Sequence, residues 1–139
     1  MAPATTVLGL VQQQLQGTFA ADPAIRNGDG VYYLPTLPEV EEILQSSEAD
    51  RREWMKERFD CDDFAYVVEA EMSSHAYHTN DLIYGVCVGM LWGNFDWLPD
   101  FHAVNWFLAP DGLLRFIEPQ TDAIYDASRC HGGISLLLV

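Results

Sequence analysis

Three residues of this 139-residue sequence could together do nucleophilic chemistry: Cys61 in FDCDDFAY, His102 in FHAVNWFL and Glu118 in FIEPQ. A thiol, an imidazole and a carboxylate in that chain order suit acyl transfer. His102 would take the thiol proton, and Glu118 would orient the ring and stabilise the imidazolium. The difficulty lies beside the thiol. Asp62 and Asp63 follow Cys61 directly, and negative neighbours raise a thiol's pKa and make it a poorer nucleophile. Either Cys61 is inert, or something positive offsets the two aspartates.

The elements that must position these groups can be read from periodicity. Stepping about 100° per residue from Cys61 puts Phe64, Ala65, Val68 and Met72 on one helical face with it, over residues 61–74. Asp62, Tyr66 and Glu69 fall on the flank, and Asp60 is the natural N-cap. Cys61 therefore starts a helix, where the dipole favours a thiolate and equally favours acids in the first turn. Plain helix capping is one reading of Asp62 and Asp63. His102 and Glu118 fall on two strands, 101–108 and 113–118, joined by the turn signal APDG. Alternation puts His102, Val104, Trp106 and Leu108 with Leu114, Phe116, Glu118 and Gln120, the more continuously apolar face. That face is oriented towards the core, with the Cys61 helix on it. The two sets share a face only if paired residue numbers have an even sum. A three-residue loop or a bulge allows this, and a plain four-residue loop at 109–112 does not. His102 and Glu118 are then opposed or diagonal neighbours.

The rest of the chain supplies the frame. A short helix is expected over residues 4–16, and loop over 17–33 with Gly17, Pro23, Gly28 and Gly30, ending in extended VYYL. TLPEVEEILQSS reads as a helix with Thr36 as N-cap, and residues 48–58 are helix-friendly around Trp54. LIYGVCVGMLW and ISLLLV read as strands. Helices first and antiparallel strands second predict an α+β chain, one domain over residues 1–139.

Composition excludes several classes. Apolar content of 49% argues against disorder. A net charge of -14, from 21 acidic and 7 basic side chains, argues against nucleic acid and anionic membrane surfaces and permits a bound cation. Three cysteines with no C-x-x-C pair suggest a reducing compartment. The N-terminus lacks a basic signal-peptide region, so a cytoplasmic or unconventionally secreted chain is expected. No window has the roughly 20 apolar residues of a membrane span. No EF-hand pattern is present, and His75 and His78 lack cysteine partners for zinc.

FDCDDFA, HAVNW and FIEPQ, in that order and at these separations, resemble the papain-like C-terminal domain of fungal chimeric lectins of the fairy-ring mushroom agglutinin type, over roughly residues 31–127. The resemblance implies a papain-like (transglutaminase-like) fold, with N-terminal helices packed on an antiparallel sheet. It implies a calcium-dependent cysteine protease, a homodimer acting on protein or peptide substrates, with Cys61, His102 and Glu118 as catalytic triad. Trp54, seven positions before Cys61, is similar to a tryptophan near that family's active site and would line the substrate cleft. Gln120 is a second candidate there. Calcium (or manganese, equally oxygen-seeking) at Asp62 and Asp63 would neutralise them. The β-trefoil lectin half is outside these residues, so sugar binding is not carried over. Met55 stands where papain has its oxyanion glutamine. Transglutaminase-like or amidase acyl transfer, or a non-enzymatic calcium-binding dimerisation module, are the alternatives.

Overall fold

The computed structural model describes all of residues 1–139. Two short strands, β1 (Ala2–Pro3) and β3 (Val31–Tyr32), pair with each other near the N-terminus. The main sheet comprises β2 (Phe19–Arg26), β4 (Val88–Phe95), β5 (His102–Leu108), β6 (Leu114–Glu118), β7 (Ala123–Asp126) and β8 (Cys130–Leu138). Their order is β2-β8-β4-β5-β6-β7, with β2 parallel to β8 and the other pairs antiparallel. Three helices flank it: α1 (Ala4–Gln14), α2 (Leu37–Ser46) and α3 (Cys61–His78).

Every residue of β5 is buried, so both faces of the central sheet are covered. On one face, Val104, Trp106, Leu108, Leu114 and Phe116 meet Val7, Val11 and Leu15 from the α1 segment. On the other, Phe107, Ile117 and Val88 meet Val40, Ile43 and Leu44 of α2 and Val68 and Met72 of α3. Burial of such side chains stabilises by roughly 1.5–3 kcal/mol each. Asn105 fixes α3 on this face through Nδ2, which donates to the Ala65 carbonyl at 3.0 Å. The Trp106 indole crosses Gly89 to donate to Leu138 O at 3.0 Å, and a side chain at position 89 would collide with both.

The papain-like (transglutaminase-like) α+β expectation, N-terminal helices on an antiparallel sheet, is corrected here. The sheet is mixed and strand-rich, and α3 sits on the face of Asn105 and Phe107, opposite to the one assigned from alternation. Alternation cannot choose between faces when both are buried. Residues 19–26 form a strand, although Pro23 argued for loop. β2 lies at the sheet edge and pairs irregularly with β8 between Phe19 and Ala24, where proline is tolerated. Only Ala49–Arg51 of the helix-friendly 48–58 stretch is helical, as a single 3-10 turn.

The β5–β6 register has the predicted parity, pairing Asn105 with Ile117 and Leu108 with Leu114 across a five-residue loop, 109–113. Thr36 caps α2 reciprocally: its N–H donates to Glu39 Oε2 at 2.7 Å, and its hydroxyl accepts from the Glu39 N–H at 3.4 Å. No helix is long and apolar enough to cross a membrane.

Candidate functional site

The start of α3, the start of β5 and the end of β6 meet at one end of the sheet. The register places His102 diagonal to Glu118, and its Nε2 lies 2.8 Å from Glu118 Oε2. Both residues are buried. Trp97 Nε1–H donates to the same Oε2 at 2.9 Å, and the Gln120 N–H donates to Oε1 at 3.2 Å. Burial pushes the Glu118 carboxyl up, but bonds from His102, Trp97 and Gln120 outweigh it and hold it below the usual carboxylate range. An ionised carboxylate only accepts, so His102 Nε2 is the donor, and in the neutral ring Nδ1 is an acceptor.

Cys61 opens α3 and lines a cleft of about 320 Å³ with His102. Burial pushes its thiol up, and Asp60 and Asp62 add to this against the backbone hydrogen bonds of Ala103 and Asp62. The thiol therefore stays neutral at neutral pH, and the sulfur's hydrogen-bond partners are backbone groups rather than the imidazole. Cys87 and Cys130 are buried and unpaired, and burial pushes Cys87 up to about 12.

Trp54 and Phe101 stand half-exposed at the cleft, and Leu98 and Pro99 line its wall. Asp60, Asp100 and Gln120 supply polar groups between them. Trp54 and Gln120 both line this cleft.

The aspartates divide their roles. Asp63 Oδ2 accepts the Asp60 N–H at 3.2 Å, closing the helix cap. Asp62 turns to Asp60 instead. A hydrogen bond from that carboxyl, then burial, then the charges of Asp60 and Asp63 raise its pKa. Ligand atoms of Asp60, Cys61 and Asp62 lie within 4.8 Å of one another. Two crowded carboxylates relax by sharing a proton or taking a cation. Two carboxylates beside a thiol are only a partial donor set for a hard cation, because calcium needs six to eight oxygens. Asp63, expected as a ligand, closes the cap with one oxygen, and the Asp60 side chain takes the reciprocal half of the same capping box.

Sequence reasoning missed Asp60, Trp97 and Phe101 as site members, and it weighed Asp100 only as a further calcium ligand in the loop before His102. The signal was the stretch WLPDF directly before His102, two aromatics around a proline in a loop that must border a strand start.

Residues 32–124 match the family model described as Agglutinin C-terminal. A solved structure described as a PSL1a–E64 complex superposes with TM-score 0.84 at 23% identity, covering 99% of this chain and 50% of that one. A crystal structure of Polyporus squamosus lectin bound to the human-type influenza-binding epitope Neu5Aca2-6Galb1-4GlcNAc superposes at TM-score 0.73 and 24% identity, covering 94% and 48%. At these identities the likeness shows the fold, and this chain spans about half the length of either solved chain. No curated protein matches it in sequence. An agglutinin family and lectin folds overturn the expected calcium-dependent cysteine protease, its papain-like fold and the cysteine-type endopeptidase and thiol hydrolase descriptions with it. The acyl-transfer alternatives fall on the same ground.

Proposed function

This chain belongs to the Agglutinin C-terminal family, and from that premise we propose that it is a non-enzymatic carbohydrate-binding module whose ligand lies in the Trp54–Gln120 cleft. The observation that carries this reading is the combination of half-exposed aromatic rings, Trp54 and Phe101, with Asp60, Asp100 and Gln120 around one open cleft. Sugars present an apolar C–H face that packs on an aromatic ring and hydroxyls that bond carboxylates and amides. In this role Cys61, His102 and Glu118 form a fixed polar floor, with His102 Nδ1 as an acceptor for a hydroxyl.

The charge of the cleft bears on ligand class. Asp60 and Asp100 line it and no lysine or arginine does, so a neutral oligosaccharide fits better than an anionic one. The sialylated epitope belongs to the lectin that carries it, a chain about twice as long. Calcium is part of the proposal. Asp62 and its neighbour Asp60 would hold it, and it would supply positive charge and a further contact for sugar hydroxyls. The homodimer implied by the resemblance, and a cytoplasmic or unconventionally secreted location, belong to the same reading.

The test is calorimetric titration with neutral and sialylated oligosaccharides sharing one core, with calcium present. Neutral ligands should bind, and Trp54→Ala should weaken them about tenfold, the worth of about 1.4 kcal/mol of lost stacking. Equal binding by wild type and Trp54→Ala would remove the cleft from the reading.

A further inference from the structure

We propose that Trp97 is the positioning residue of the buried His102–Glu118 pair and ties that pair to the loop walling the cleft. Trp97 lies in the loop 96–101 between β4 and β5. Its indole N–H reaches Glu118 Oε2 at 2.9 Å, the oxygen that His102 Nε2 meets at 2.8 Å. With the Gln120 N–H on Oε1 at 3.2 Å, three donors converge on one carboxylate. An indole only donates, so Oε2 cannot carry a proton while accepting from both rings. Trp97 thereby favours the ionised Glu118, against which Nε2 of His102 is the proton-bearing nitrogen.

The indole is itself held in place. It stacks on Tyr125 at 4.1 Å and 13°, and on Phe95 at 4.7 Å and 29°. Arg129 sits 4.9 Å over Tyr125 and pairs with Asp96, the residue before Trp97. The loop is therefore anchored at Asp96 and Trp97, while the next residues, Leu98 and Pro99, line the cleft. A ligand that displaces Leu98 pulls directly on the donor of Glu118. Stacking alone would explain a partly buried aromatic here. It would not explain why the indole edge is turned onto a carboxylate already bonded to histidine.

Trp97→Phe separates the two roles, because phenylalanine keeps the stack and lacks the N–H. The readout is the Glu118 carboxyl resonance followed by ¹³C NMR against pH, with chelator present so that no cation enters the cleft. The groups facing Glu118 are His102 from β5, the Trp97 indole from the loop and the Gln120 amide beyond β6. Asp60 and Cys61 of the α3 segment and Asp100 of the loop line the adjoining cleft. Glu118 should titrate at higher pH in Trp97→Phe than in wild type, with the melting temperature little changed. An unmoved titration in a folded Trp97→Phe overturns the proposal. Should that variant not fold, the wild-type indole N–H resonance decides. It should shift as Glu118 titrates, and an indole resonance indifferent to that titration overturns the proposal equally.

Discussion

The Cys61 thiol sits under influences that mostly act in one direction. Burial, Asp60 and Asp62 all disfavour a negative sulfur, and two backbone hydrogen bonds only partly oppose them. The start of α3 would favour a thiolate through its dipole, but the same helix start carries the aspartates. Alkylation of Cys61 by iodoacetamide should therefore be slow at pH 7, and its rate should still be rising above the pH at which a free cysteine is half ionised. A rate already at its plateau near neutral pH would mean an activated thiol. At this scale the pairing of His102 with Glu118 was legible, because strand parity limits which residues can meet. The division of labour among the aspartates was not. A helical wheel gives the direction of a side chain, but competition for the cap decides which carboxylate is left free, and here Asp63 takes the cap.

Among the elements, α3 carries an internal tension. Glu69 lies on the flank of its buried face, burial pushes its carboxyl up to about 7, and its Oε2 has no hydrogen-bond partner. The folded chain thus holds a proton there that the unfolded chain releases near 4.5. The stability associated with that proton is complete below about pH 4.5 and is lost as pH rises through about 7. At about 1.4 kcal/mol per pH unit the loss is at most about 3 kcal/mol. Urea denaturation should show wild type weakening across pH 5–8 relative to Glu69→Gln, with the two converging at low pH. Parallel pH profiles would contradict this. Helices α1, α2 and α3 were legible because caps and 3.6-residue periodicity are local signals. β2 was not, because its partner β8 lies more than a hundred residues away and only that pairing makes residues 19–26 a strand.

For the molecule as a whole, a net charge of -14 sets the response to cations. Calcium bound at Asp60 and Asp62 would stabilise the folded chain by about 2.7 kcal/mol at a hundredfold excess over its Kd. Thermal melts with calcium and with chelator should differ for wild type and coincide for Asp62→Asn. Asp63→Asn should keep the calcium response, since its amide oxygen can still accept the Asp60 N–H. Loss of the response in Asp63→Asn alone would return the ligand role to that residue. The architecture was only partly legible at this scale. The three helices and four of the six main-sheet strands were placed, β2 and β7 were not, and the face chosen for α3 was wrong, since Asn105 and Phe107 are as buried as Val104 and Trp106. The central claim, a sugar-binding cleft without catalysis, is tested most directly by incubating the chain with a neutral oligosaccharide and, separately, with an unfolded protein substrate. The account predicts resonance shifts at Trp54, Phe101 and Gln120 with the sugar and an intact protein substrate. No shifts with the sugar, together with cleavage of the substrate that disappears in Cys61→Ala, would contradict it.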